Sequence, residues 1–331
     1  MHNVVIKGTG VYLPSNKVYN NFFEEHFNKI GLPVTGLMNH LGRRKRYLAS
    51  ENETSLTMAI EAAKNLISKQ KISVCQPDMI VFVSDIPEYL FPTNALKIVN
   101  ALEAENVSVA FDFNSNCTGM LMAMDVVANY MKGVSRIKQA LIIGSFNISS
   151  IAKHDDSVVY PNFADAAAAI LLEYVEEEAP SGLLDTETFV DAGYQHYVTF
   201  PKCGISKIAV ENVTKEQKKL EWNPFDMKFI SDKWVELIQA VLERNCLSAA
   251  DIDYFIFSQL SDYDNMLTLE KLGVKEDNKY FFLGTEYGYT GNTCPILVLN
   301  RMWDTVAAKG NLIIFCSVGA GYTAIVQLYR F

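Results

Sequence analysis

Short apolar runs alternate along the chain with stretches of helical period. DMIVFVSD (78–85) and QALIIGS (139–145) are near-continuous apolar segments. Such runs suit central strands covered on both faces. TSLTMAIEAAKNLI (54–67) spaces its apolar residues by three and four behind a threonine start, which predicts an amphipathic helix. TLEKL, near 268–272, shows the same period more weakly. The alternation predicts an α/β fold with layered helices and sheet.

The order of elements occurs twice. DMIVFVSD (78–85) answers to DYFIFSQL (253–260), and QALIIGS to GNLIIFCS (310–317). FDFNSNCTGMLMAMDVV (111–127), a strand running into a helix, answers to GNTCPILVLNRM (291–302). FADAAAAILLEY (163–174) answers to GAGYTAIVQLYR (319–330). This predicts a duplicated architecture with halves at 1–175 and 225–331, joined by a segment at 176–224. The midpoint falls in the Lys- and Glu-rich stretch 204–224.

The bulk properties narrow the function. A chain of 331 residues can bury a large core, and 49% hydrophobic with 20% charged residues is an ordinary globular balance. No apolar run reaches the length of a membrane span, and MHNVVIKG lacks the features of a signal peptide. Six cysteines (75, 117, 203, 246, 294, 316) stand singly, without a C-x-x-C pair. That spacing argues against a metal site or disulfide framework and for a reducing, cytoplasmic compartment. A net charge of -9 disfavours nucleic acid as a partner. The basic cluster GRRKRY (42–47) reads either as a solvated turn or as a local phosphate site.

Cys117 is the candidate nucleophile. It stands where a strand passes into a helix, and unpaired N–H groups and the dipole of a helix start favour an anion. A thiol so placed is expected to have a lowered pKa. The other five cysteines read as inert core thiols. Duplication places Asn292, the equivalent position of the second half, opposite Cys117, with two helix starts aimed into one cavity.

These segments resemble, in family order, the thiolase-fold condensing enzymes, and among them ketoacyl-acyl-carrier-protein synthase III. LGRRKRYLA with ETSLTMAIEAA resembles the early arginine turn and helix of that family, and NSNCTGM its nucleophile motif. FADAAAA resembles its Gly-Asp-Gly-Ala loop, YTGNTC its Gly-Asn-Thr motif, and SVGAGYT its closing glycine turn. The resemblance implies a thiolase-like fold of two pseudo-duplicated halves in αβαβα layers, working as a homodimer without a cofactor. It implies that Cys117 takes an acyl group from an acyl-carrier-protein or coenzyme A thioester. The oxyanion hole it implies is built by the backbone N–H groups of Cys117 and of the turn near Gly319. Asn292 matches the asparagine that, with a histidine, stabilises the enolate of a decarboxylating malonyl thioester.

The chain departs from this pattern at the histidine, where Ser258 stands. A serine donates one hydrogen bond but carries no charge and is no base near neutral pH. By analogy with oxyanion-hole deletions, losing the imidazole costs about 3–4 kcal/mol of transition-state stabilisation. Decarboxylation is therefore expected to be weak, while acyl loading on Cys117 is retained. His196, His154, Glu286 and Tyr287 are the candidate substitutes, with His196 placed near the acyl tunnel. Ala164-Asp165-Ala166 replaces Gly-Asp-Gly, and Ser157 stands at a coenzyme A-contacting arginine, which favours a carrier-protein donor. Arg43, Arg44 and Arg46 are candidate phosphate contacts. A non-catalytic acyl- or carrier-binding partner subunit and a slow thioesterase are the alternative functions.

Overall fold

The computed structural model describes residues 1–74, 76–275 and 277–331. Nine strands form the main sheet: β1 (His2–Tyr12), β2 (Met79–Val83), β3 (Val109–Phe113), β4 (Gln139–Phe146), β5 (Ala166–Glu176), β6 (Gly182–Val190), β7 (Tyr254–Phe257), β8 (Leu312–Gly319) and β9 (Thr323–Arg330). The helices that position the site are α1 (Ser55–Gln70), α2 (Asn94–Leu102), α3 (Gly119–Gly133), α4 (Ile230–Arg244), α5 (Asp262–Lys271) and α6 (Cys294–Arg301). None of the helices among the described residues is long and apolar enough to cross a membrane.

The strand order is β7-β8-β9-β6-β1-β5-β4-β2-β3. In the first half β2 pairs in parallel with β3 and β4, and β5 joins β4 and β1 antiparallel. The second half repeats this, with β7 parallel to β8 and β9 antiparallel to both β8 and β6. Four matched segments are thus four matched elements. The halves meet at a narrow seam: β1 and β6 pair only at Val4 and Gly182, and the Ile6 N–H donates to the Tyr329 hydroxyl across it at 2.6 Å.

Strand alternation sorts the core into layers. Met79, Val81 and Val83 of β2 face inward with Ile256, Ile313 and Phe315 of the second half, burying α3 and α6 between the two sheet halves. Ile80 and Phe82 face the other way, against α1 and α2. Phe255, Phe257, Ile314 and Cys316 pack outward on α4. Helix, sheet, helix pair, sheet and helix therefore stack in five layers. α1 begins at a capping box, with the Thr54 and Thr57 side chains each accepting from the other's backbone N–H.

The Ala164-Asp165-Ala166 loop is held by its acid. Asp165, fully buried, accepts from the Ala49 N–H at 2.7 Å, from the Ser149 N–H at 3.0 Å and from the Ser149 hydroxyl. Burial nevertheless pushes its carboxyl up to about 6. Asp165→Ala strands these donors in the core, and is expected to lower unfolding free energy by about 2–4 kcal/mol. Urea denaturation followed by circular dichroism checks this. A variant as stable as the parent contradicts the bracing role.

Candidate active site

Parallel strands deliver their carboxyl ends to one edge of the sheet, and this is where α/β folds place ligands. Asp85 follows β2, Cys117 follows β3, and Ser258 follows β7 directly. Cys117 occupies a single 3-10 turn, Asn116–Thr118, that leads into α3. Asn292 occupies the matching turn, Gly291–Thr293, ahead of α6. The two turns pack together: a Cβ built on Gly119 lies 3.5 Å from the Asn292 Cβ. Gly291 is required there, because its φ is +55° and a Cβ would meet the Phe146 ring at 2.5 Å.

The nucleophile turn is tied to the closing turn after β8. Asn116, at φ 50°, donates through Nδ2 to the Ala320 carbonyl at 3.1 Å. The Ser317 hydroxyl donates to the Cys117 carbonyl at 3.1 Å. The N–H that reaches the Cys117 sulfur is that of Ala320, one residue beyond the expected Gly319. Gly319 closes β8 opposite Thr323, and a Cβ there would meet the Thr323 hydroxyl at 2.7 Å, so its part is close packing.

Cys117 opens on two joined cavities. One, about 150 Å³, is shared with Asp85, Asn116, Phe146 and Phe200. The other, about 40 Å³, lies among Phe225, Phe229, Leu260, Tyr289 and Tyr322. Phe163, Val198, Trp222 and Ala320 line both. The expected low pKa of Cys117 is overturned: burial, then the Asp85 charge, push the thiol well above its ordinary value. The Tyr289 phenol and the Ala320 N–H pull it down, but not by enough. Low dielectric outweighs the helix start when no ligand or cation is present to share the charge.

Ser258, the residue expected at the histidine position, is fully buried. Tyr289 lies close to both Ser258 and the nucleophile: the Ser258 hydroxyl pulls its phenol down and the Cys117 thiol pushes it up, while the phenol pulls the Cys117 thiol down. Ser258 in turn lies 3.9 Å from the Cys294 thiol. Burial and the neighbouring thiols hold the Tyr289 phenol far above its ordinary value, so it remains a donor. Asn292, 1% exposed, sits behind the cavity wall with its Nδ2 3.5 Å from the Ser145 carbonyl. Its amide also lies against Asp85.

Several expected contacts lie elsewhere. The Arg43 guanidinium is buried and committed to the carbonyls of Leu41, Asn162, Gln259 and Leu260. Arg46 is buried over the Phe23 ring, bonded to Asn20 and the Pro161 carbonyl. Neither faces solvent, so neither is available to a phosphate; both clamp loops beneath the site. Arg44 is exposed and, with Lys45, pairs with Glu286, which removes Glu286 from the cavity. Tyr287 packs edge-on against Tyr47, and His154 stacks on Tyr160 at the surface. His196 is exposed and lines neither cavity; Tyr194 and Tyr197 of its loop turn inward instead, against Phe225. Of the supposed core thiols, Cys294 and Cys316 are buried, Cys203 is half-buried and Cys246 is exposed. Cys75 lies outside the described residues.

Sequence reasoning missed Asp85, Tyr289 and the Trp222–Phe225–Phe229 wall. Asp85 had a signal, since it is an acid set just past an apolar parallel strand, the position the fold reserves for ligands. The aromatics had none, because only the fold brings 222–229 beside Cys117.

Residues 111–192 match the family of 3-oxoacyl-[acyl-carrier-protein] synthase III, and 242–331 match the C-terminal region of that family. The chain is 28% identical over 324 residues to the beta-ketoacyl-[acyl-carrier-protein] synthase III of Wolbachia pipientis wMel, covering 98% of each chain. It is 26% identical over 333 residues to that of Solibacter usitatus (strain Ellin6076), covering 100% of this chain and 99% of the relative. The crystal structure of 3-oxoacyl-[acyl-carrier-protein] synthase III from Aquifex aeolicus VF5 superposes with a TM-score of 0.86 at 24% identity, over 99% of this chain and 100% of that one. Matched in both halves and along its whole length, the chain belongs to the thiolase-fold family of 3-oxoacyl-[acyl-carrier-protein] synthase III, acyl-transferring condensing enzymes.

Proposed function

We propose that Cys117 is the acyl-accepting nucleophile, loaded from a coenzyme A or acyl-carrier-protein thioester. The observation that carries this is the placement of its sulfur in an apolar cavity with the Ala320 N–H and the Tyr289 phenol both aimed at it. The Cys117 and Ala320 N–H groups are the oxyanion donors in this reading, in place of the Cys117–Gly319 pair. Donors fixed in advance stabilise charge as it develops, at no cost of reorganisation. The cavities are small and lined by aromatic rings, which suits a short acyl group.

The test is the intact mass of the protein after incubation with acetyl or butanoyl thioesters of coenzyme A and carrier protein. Stoichiometric acylation, absent in Cys117→Ala, is the expected result. Tyr289→Phe removes a hydrogen bond to developing thiolate charge and is expected to slow loading about tenfold or more. No adduct with any donor favours a binding subunit, and turnover to free acid favours a thioesterase.

Ser258 separates loading from decarboxylation in this proposal. Enolate formation finds no imidazole, Asn292 sits behind the cavity wall, and Tyr289 stands beside both Ser258 and the sulfur. Carbon dioxide release from malonyl-carrier protein is expected to be slow. Ser258→His alone is expected to gain little, because the ring must displace Tyr289, and Ser258→His with Tyr289→Ala to gain more. Rapid release by the parent protein contradicts the assignment.

The working unit in this proposal is a twofold dimer. β3 is one of the two edge strands of the sheet, and all five of its residues are half-buried. Leu90 (63% exposed) and Phe91 (85%) stand on the loop between β2 and α2. Such an apolar edge invites pairing with a second copy. Light scattering at micromolar concentration is expected to give a dimer, weakened in Phe91→Asp. A monomeric parent protein rules the pairing out.

A further inference from the structure

We propose that Asp85 is the catalytic acid–base residue of this site, doing the proton transfer that an imidazole cannot do here. The proposal deepens the reading of Cys117 as nucleophile and rests on it. As the Cys117 sulfur attacks a thioester carbonyl, its proton passes to an Asp85 oxygen and the new S–C bond forms. The bond to the donor sulfur then breaks, and the leaving thiolate takes the proton back from Asp85. The carboxylate is regenerated, and no further reactant is needed.

Three observations carry this. Asp85 and Cys117 line the same cavity of about 150 Å³, and among the described residues on its wall they are the only ionisable groups. The Asp85 Oδ1 is buried and has no hydrogen-bond partner, although its residue packs against the Asn292 amide. A buried acceptor left open is costly, and calls for an explanation in function. The other groups at the sulfur are excluded by chemistry. Ser258 is a hydroxyl, Tyr289 is a phenol that stays protonated, Cys294 is a thiol raised by burial, and no histidine lines either cavity.

The carboxyl is also tuned for the task. Burial raises it, while its own N–H and the Asn292 amide lower it, leaving it at about 6. A group near the working pH can both accept and return a proton. The free thiolate is disfavoured in this cavity, so proton transfer accompanies the attack rather than preceding it. Asn292 is then a positioning residue for Asp85.

Cys117 modification is to be followed across pH 5–8 with two probes, S-acetyl-N-acetylcysteamine and iodoacetamide, quantified on the Cys117 peptide. In the parent protein both rates are expected to rise with pH through an inflection near 6, as Asp85 ionises. Asp85→Asn is expected to lose the inflection and to slow acylation by about a hundredfold. Asp85→Glu is expected to keep an inflection, with part of the rate. A bystander charge is told apart by the variant: ionisation of Asp85 would then only raise the thiol, the rate would still climb with pH, more gradually through pH 6, and Asp85→Asn would be faster. That result, or a parent profile without an inflection, overturns the proposal even where a variant fails to fold. If no thioester acylates the parent but iodoacetamide shows the rising inflection and Asp85→Asn is slower, Asp85 stands as the base of Cys117 and the acyl-transfer reading falls.

Discussion

Two hydrogen bonds join the halves at the chemical centre, from Asn116 to the Ala320 carbonyl and from Ser317 to the Cys117 carbonyl. They fix the nucleophile turn of the first half against the closing turn of the second. The N–H that faces the sulfur and the sulfur itself therefore come from opposite ends of the chain. Their alignment depends on the buried pair α3 and α6, whose starting turns meet beneath the cavity. Close packing leaves such a pair little freedom to slide, so the site inherits the rigidity of the central layer.

The site is electrostatically spare. Its two cavities present one carboxyl and no cation among the described lining residues. The arginines that might have supplied positive charge are spent on the scaffold. Arg43 alone gathers carbonyls from the turn before it, from the 162 loop and from the loop after Ser258. A guanidinium serves this well, since its five donors lie in one rigid plane and it keeps its charge when buried. Its removal would leave several buried carbonyls without donors and free the loop that holds Ser258.

Ser258, expected where the family carries a histidine, brings a hydroxyl and no base to the site. Tyr289 stands beside both Ser258 and Cys117, and each of them shifts its phenol. The result is a line of hydrogen-bond donors without a base. It stabilises charge on sulfur or on an adjacent oxygen but cannot accept a proton. The Asp85 carboxyl, which shares a cavity wall with Cys117, supplies in our proposal what that line lacks. It also opposes a second carboxylate, such as that of a malonyl group, since like charges repel strongly in a low dielectric.

The fold class, the doubling of the elements and the junction at Cys117 were legible in the residue pattern. Apolar period and turn chemistry are local, and they recur in each half at β2 and β7, β4 and β8, β5 and β9. The packing of the Cys117 turn on the Asn292 turn was legible for the same reason, but the expected opening of both into one cavity was not met, since Asn292 lines neither. Burial reversed the rest. Helix position alone argued for an acidic Cys117, but the surrounding rings and the Asp85 charge raise it. A basic run argued for phosphate, but Arg43 and Arg46 turn inward because the 162 and 260 loops offer them carbonyls. Glu286 and His196 stood near the right motifs, yet Glu286 is held in ion pairs with Arg44 and Lys45 and His196 is exposed. Which side chains share a cavity, and what dielectric surrounds them, depends on segments more than a hundred residues apart, and only the tertiary structure decides it.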